Sequence, residues 1–221
     1  MSHKQQSRPR LSVSMIVKNE EAFLDECLKS VREVADDIVI VDTGSTDGTK
    51  EIALRWGARV YDYEWNGDFA AARNFSLRHC TGDWILYIDA DERLTAESAR
   101  VLPRLIAQEN ADAFMVTVEN PQTMRQGTFH QQNAYPRLFR RLPGVGFEGR
   151  VHEQVWQSLK RLKLTVQPSP LTILHLGYSR GYDVVKEKAE RNLQLLRKQL
   201  EDHPDDGYAW FQMGNSLVVL Q

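Results

Sequence analysis

Four short apolar, β-branched runs, separated by stretches with helical spacing, constrain this chain more than any other feature. The runs are "LSVSMIV" (11–17), "DIVIVD" (37–42), "ARVYDY" (58–63) and "DWILYI" (83–88). Between the first two, Phe23, Leu24, Cys27, Leu28, Val31 and Val34 recur at three- and four-residue steps, laying one apolar stripe along a helix. "KEIALRWG" (50–57) reads as a short helix closed by Gly57, and "FAAARNFSLRHCTGD" (69–83) as a helix that stops near Gly82. Strands joined through crossover helices pair in parallel, and strands covered on both faces read as unbroken apolar runs, as "IVIV" and "WILYI" do. The expected fold is therefore α/β, with a mostly parallel, doubly wound sheet. In such sheets ligands bind beyond the carboxyl ends of the strands.

The texture changes after the helical stretch "ESARVLPRLIAQE" (97–109). "DAFMVTVE" (112–119), "TFHQQNAYPRLFRR" (128–141) and "LKLTVQ" (162–167) alternate apolar and polar residues, as strands with one solvated face do. Pro136, Pro143, Pro168 and Pro170 interrupt this region. It is expected to form smaller strands and loops laid over the mouth of the first half, making one unit over residues 1–182. From Asp183 the chain reads as a helical tail, 183–221. Trp210, Met213 and Gly214 follow the W-x-x-L-G spacing that opens a tetratricopeptide repeat, with Met in the Leu position. The repeat stops at Gln221, as in a chain cut from a longer protein.

A formal net charge of -2 provides no basic field, which argues against a nucleic-acid partner. The two cysteines, Cys27 and Cys80, form no close pair and point to a reducing compartment. "MSHKQQSRPR" lacks the apolar core of a secretion signal, and no apolar run approaches the roughly 18–20 residues that cross a bilayer. A cytoplasmic location is expected, compatible with peripheral attachment at the inner face of the membrane.

Polar clusters fall at or near the ends of the predicted strands: Lys18-Asn19-Glu20, Asp42 to Gly48, Trp65 to Asn74, and Asp89 to Glu92. Any one of Asp42, Ser45 or Asp47 alone reads as a helix cap or turn residue. Several acids on one edge repel each other unless a cation or a donor compensates. Asp89 and Asp91, one residue apart, can turn toward a common point as the strand gives way to a loop. A hard cation such as Mg²⁺ or Mn²⁺ takes carboxylate oxygens together with substrate phosphates, and makes a bridged diphosphate a better leaving group.

Taken together, "VSMIVKNEEAFLDECLKSV", "DIVIVDTGSTDGTKEIA", "FAAARNFSL" and "DWILYIDADERL" resemble a family 2 glycosyltransferase with the GT-A fold. The resemblance covers about the first hundred residues, and the tail resembles the branch of that family carrying tetratricopeptide repeats. It implies an inverting, metal-dependent transfer of sugar from a nucleotide-sugar donor, expected to be UDP-linked, to a peptide, polysaccharide or lipid acceptor. It further implies that Val17 to Glu20, Asn19 included, hold the base or ribose. Asp42 would bond the base, with Ser45 and Asp47 shaping the loop. Arg73 would face the diphosphate or support the acids, and a structural ion pair is its other reading. Asp89, with Ala90, would lie near ribose, and Asp91 would hold the Mn²⁺ or Mg²⁺ ion.

An inverting transfer needs a carboxylate on the acceptor side to deprotonate the attacking group. "GFEGRVHEQVW" offers Glu148 and Glu153. Glu153 is preferred because "VHE" resembles the family's acceptor-side acidic motif, with His152 placed to orient it. His175, at the end of the run in "TILHLGYSRGY", either completes an Asp-plus-His metal site or is a half-buried histidine bonded to backbone. Gly181 and Tyr182 are expected in a lid. The helical tail is a candidate surface for a protein partner or self-association.

Three other protein classes share part of this pattern. A phosphatase of the haloacid-dehalogenase type shares D-x-D, but carries it after its first strand and lacks the Arg93 found here. A nucleotidyltransferase would carry a Gly-rich phosphate loop, and "IVKNEEA" has no glycine. A non-catalytic nucleotide-sugar-binding or scaffold protein would tolerate loss of the acids, yet Asp89 and Asp91 are both present.

Overall fold

The computed structural model describes residues 8–124, 127–176 and 182–220. Strands β1 (Leu11–Val17), β2 (Asp37–Asp42), β3 (Arg59–Asp62) and β4 (Trp84–Tyr87) are joined by helices α1 (Glu21–Val31), α2 (Thr49–Arg55) and α3 (Phe69–His79). After β4 come β5 (Glu92–Leu94), α4 (Ala96–Ile106), β6 (Ala113–Met124), β7 (Gly127–Arg140), α5 (Trp156–Arg161) and β8 (Val166–His175). Helices α6 (Tyr182–Asp202) and α7 (Gly207–Val219) follow. All strands form one eight-stranded sheet in the order β3-β2-β1-β4-β7-β6-β8-β5.

The β3-β2-β1-β4 half is parallel, as its spacing predicts. Strands β1, β2 and β4 are buried on both sides, whereas the edge strand β3 is half-buried. Ile38 and Ile40 join the core shared with α1 and α4, whereas Val39 faces the core shared with α3 and α5. Trp84, Leu86 and Ile88 divide from Ile85 and Tyr87 in the same way. That two-sided burial is why these strands read as unbroken apolar runs.

The region after α4 differs from the sequence expectation. Its strands continue the sheet itself, β7 pairing antiparallel with β4, β6 antiparallel with β7, and β8 parallel with β6. They reach 12 and 14 residues in β6 and β7, so they are neither small nor merely laid over the first half. The prolines are absorbed at irregularities. Pro136 falls where the β6–β7 register shifts between Phe114 and Val116, and Pro170 where the β6–β8 register shifts between Met115 and Thr117. Proline lacks an amide hydrogen for the ladder, so bulges are where a sheet accepts it.

The tail packs on the sheet unit. Leu195, Leu196 and Leu200 of α6 bury against Val151, Trp65 and Phe69, with Ala209 and Met213 of α7 completing the cluster. Of the expected lid residues, Gly181 lies outside the described residues and Tyr182 opens α6. No helix among the described residues is long and apolar enough to cross a membrane.

Candidate active site

Register places the site. Val17 at the end of β1 is level with Asp42 at the end of β2, and Ser14 of β1 is level with Tyr87 of β4. Asp89 therefore emerges two residues on, at the same carboxyl edge. The β1–α1 and β2–α2 loops are laced together there. Ser45 Oγ accepts from the Asn19 amide at 2.9 Å, and Asn19 Oδ1 accepts from the Thr46 amide at 2.8 Å. Asn19 has φ 54, in the left-handed region that Asn tolerates better than most residues. Asp47 accepts from Thr49 and from the Glu21 amide, so its carboxylate is spent shaping the turn. Asp42 Oδ1 accepts from the amides of Gly44 and Ser45, both at 2.9 Å. Its buried Oδ2 has no hydrogen-bond partner among the described residues. A buried acceptor left in this state is costly unless a ligand supplies the donor.

The acidic turn is organised by its third carboxylate. Glu92 Oε2 accepts from the Asp89 amide at 2.8 Å, and Oε1 accepts from Arg137 Nη2 at 2.9 Å. Both Glu92 oxygens are thus engaged within the protein. Burial pushes its carboxyl upward against the pull of Arg137. Asp89 receives Arg73 Nη2 at 2.7 Å and lies 3.7 Å from Arg137 Nη1. Burial opposes its charge, but the two guanidinium groups outweigh burial and hold Asp89 well below the usual carboxylate range. Arg73 also donates through Nε to Glu153 Oε1 at 2.5 Å. The same guanidinium therefore ties the helix α3 side of the site to both carboxylates.

His175 reaches the acids through sheet pairing. It is opposite Glu92 across the β5–β8 ladder, and Leu176 donates its amide to the Asp91 carbonyl at 2.8 Å. His175 Nε2 is 3.4 Å from Asp91 Oδ2, and Nδ1 is 2.7 Å from Asn120 Oδ1 on β6. The Asn120 oxygen can only accept, which fixes the hydrogen on Nδ1 and aims Nε2 at Asp91. Burial works against the charge on each partner. Their mutual hydrogen bond outweighs it, raising His175 and lowering Asp91.

This pair fits a divalent cation of the Mn²⁺ or Mg²⁺ class. One carboxylate oxygen and one imidazole nitrogen converge, and the Asn120 side-chain amide holds the imidazole tautomer. Among the described residues no group of three or more His, Cys, Asp or Glu side chains forms a closed metal cage.

A cavity of about 330 Å³ collects most of the residues singled out in the sequence. Val17, Glu20, Arg73, Asp89, Ala90, Asp91, His152, Glu153 and His175 line it. Asn19 lines an adjoining cavity beside Trp65, whereas Asp42, Ser45 and Asp47 line neither. Glu148 is elsewhere, ion-paired to Arg161 at 2.5 Å and lining a separate cavity, so of the two candidate acids only Glu153 reaches the cleft. The partner that orients Glu153 is Arg73, and not His152 as the sequence suggested. His152 itself has φ 55 and a buried Nε2 without a hydrogen-bond partner among the described residues. Burial pulls its imidazole below the ordinary value.

Three side chains escaped sequence reasoning. Arg137 comes from β7 and stacks over the Tyr87 ring at 4.3 Å. Lys188 and Arg191 come from α6, one turn apart, and both line the cavity. Their three-residue spacing was a readable signal that they share a helix face. Which face met the acids was not readable.

Comparison with known proteins bears on the family and the fold. The family described as "Glycosyl transferase family 2" matches residues 12–167. A TPR repeat-containing protein of Synechococcus elongatus is 38% identical over 216 residues, covering 95% of this chain and 52% of that protein. The SPbeta prophage-derived glycosyltransferase SunS of Bacillus subtilis is 28% identical over 214 residues, covering 96% of this chain and 50% of its own. The chain thus spans about half the length of these curated relatives. Among solved structures, the mannosyltransferase PcManGT from Pyrobaculum calidifontis, in complex with GDP-Man and Mn2+, superposes with a TM-score of 0.60 at 20% identity, covering 97% and 70% of the two chains. S. aureus TarS 1-349 in complex with UDP gives a TM-score of 0.60 at 17% identity, covering 94% and 70%. These likenesses identify the fold as GT-A. By the match across residues 12–167, the chain belongs to glycosyl transferase family 2.

Proposed function

We propose that this chain is an inverting, metal-dependent glycosyltransferase that moves a sugar from a UDP-linked donor to a peptide, polysaccharide or lipid acceptor. The observation that carries the reading is one cleft holding Asp91 with His175, Glu153, and the two cations Lys188 and Arg191. Relatives in complex with UDP and with GDP-Man and Mn2+ support a nucleotide-sugar donor. In this reading Val17, Asn19 and Glu20 border the nucleoside, and Asp42, behind them at the end of β2, offers its unpartnered Oδ2 to a base N–H only once the loop over it opens. Asp91 and His175 hold the cation, which when bound offsets charge developing on the departing diphosphate.

Lys188 and Arg191 add fixed positive charge against the same phosphates. The acceptor oxygen attacks the anomeric carbon from the side opposite the diphosphate. The bond to the leaving phosphate oxygen breaks with its electron pair, and the proton of the acceptor passes to Glu153. Arg73 occupies Glu153 Oε1, leaving Oε2 as the oxygen that meets the acceptor. In this division the unit over 1–182 grips the donor and the tail over 183–221 completes the cleft, with a tetratricopeptide-like start at α7. The reading places the protein in the cytoplasm, at most peripheral to the inner face of the membrane.

A thermal-shift panel of UDP-, GDP- and ADP-sugars with and without Mn²⁺ tests it. A ligand that binds only the native state raises the melting temperature. UDP-sugars are expected to raise it only with the ion present, and a panel with no shift for any nucleotide sugar would contradict the proposal.

A further inference from the structure

A cavity of about 440 Å³ lies apart from the cleft and shares no lining residue with it. Helix α3 divides the two. Its Arg73 turns to the acids, whereas Asn74, Leu77 and Arg78 line the separate cavity. Asn74 closes the partition by clamping Phe147. Its Oδ1 accepts from the Phe147 amide at 2.8 Å, and its Nδ2 donates to the Phe147 carbonyl at 2.9 Å.

Three arginines from separate parts of the chain converge on this cavity: Arg78 of α3, Arg141 just past β7, and Arg161 of α5. All three are exposed. Arg161 is paired with Glu148. Arg78 rests its guanidinium over the Phe75 ring at 5.2 Å, and Arg141 donates Nε to the Gly82 carbonyl at 2.7 Å. Among the described residues neither of these two has a carboxylate partner.

The positive charge extends past the rim. Lys160 and Lys163, at the end of α5, are also exposed. Between them Leu162 is 39% exposed, and it comes within 3.5 Å of where a Cβ on Gly144 would stand, which holds this tip against the loop after Arg141. The acids close by are engaged: Asp83 accepts from the Arg10 amide, and Asp112 accepts from the Thr165 amide and faces Arg140. A chain of net charge -2 thus gathers five exposed cations around one cavity. Half-buried Leu77, Leu142 and Val145 line its wall.

Guanidinium groups fork onto phosphate oxygens, and clustered Lys and Arg are drawn to an anionic bilayer. An apolar side chain among such cations can enter the lipid interface. A free phosphate would use the arginines and leave Leu162 and the apolar wall idle. A phospholipid headgroup uses both.

We propose that this cavity and the α5 tip beside it form a membrane-docking site. The phosphate of an anionic lipid headgroup sits between Arg78 and Arg141, and Lys160, Leu162 and Lys163 meet the lipid interface. No residue is shared with the cleft, so lipid and nucleotide sugar can be held at once.

The test is flotation of the 221-residue chain with phosphatidylcholine vesicles, made with and without phosphatidylglycerol. Capture is expected only with phosphatidylglycerol. Arg78→Glu should weaken it about tenfold and Leu162→Gln about threefold. Both positions are exposed, so both variants keep the fold. Arg100→Glu, which reverses an exposed charge on α4 across the sheet, should leave capture unchanged. Capture without phosphatidylglycerol, capture by neither vesicle, or an equal loss in Arg100→Glu would overturn the site. Inorganic phosphate that raises the melting temperature of the wild type but not of Arg78→Glu, with no vesicle capture, would overturn the lipid in favour of a soluble anion. UDP affinity should be the same in all four proteins, and a fall in Arg78→Glu would contradict a site separate from the cleft.

Discussion

At the residue scale, Arg73 holds the site together. It is 7% exposed and pairs with Asp89 and Glu153 at once, so its removal leaves two carboxylates facing each other in a poorly solvated cleft. Breaking a buried ion pair from one side costs about 3 kcal/mol or more. Arg73→Met should lower urea-unfolding stability by about that amount and abolish transfer, whereas an unchanged unfolding midpoint would show the pairs to be idle. Gly82 is the second such residue, for steric reasons. A Cβ there would lie 2.5 Å from the Ser12 amide nitrogen and 2.8 Å from the Arg10 carbonyl oxygen. These are backbone atoms of β1 and the residue before it, which cannot swing aside. Gly82→Ala is expected to cost about 1–3 kcal/mol in the same assay. Sequence reasoning took Gly82 for a helix stop. Its closeness to a neighbouring strand depends on pairing that no local pattern encodes.

At the scale of elements, the legible parts were those whose periodicity is set by burial. β1 to β4 and α1 to α4 followed from apolar spacing, because each faces a core on a fixed set of positions. β5 was missed, since Glu92–Leu94 is too short for any period to show. The outer strands were misjudged because prolines that usually end strands sit at bulges here. Asp37, at the start of β2, knits three elements together: Ser12 Oγ donates to it at 2.7 Å, Thr81 donates at 3.0 Å, and Arg59 grips both oxygens. Burial opposes its charge, but these hydrogen bonds outweigh burial, and the Asp37 carboxyl sits below the usual range. A lowered folded-state value means stability present above the unfolded value of about 3.9 and lost as pH falls through the folded one. The stability advantage of wild type over Asp37→Asn should therefore be full at neutral pH and shrink below about pH 4 in denaturant titrations. A difference that is independent of pH would contradict this.

At the scale of the whole molecule, the account joins two parts that the sequence kept apart. The acids on the sheet edge were legible because they end apolar runs. The cations on α6 were not, because tail and cleft meet only through packing. Leu196 is 1% exposed in the cluster that seats α6 against Val151, Trp65 and Phe69. Leu196→Ala should cost about 2–5 kcal/mol and also weaken nucleotide binding, by loosening the helix that carries Lys188 and Arg191. Stability lost with nucleotide affinity untouched would separate the tail from the cleft. The central claim is that Asp91, with His175, holds a cation on which the donor diphosphate depends. Calorimetric titration of UDP into the wild type and Asp91→Asn, each with Mn²⁺ and with chelator, addresses it most directly. The account predicts tight binding only for the wild type with Mn²⁺, and affinity more than about tenfold weaker in the other three conditions. Equal affinity in all four would contradict it.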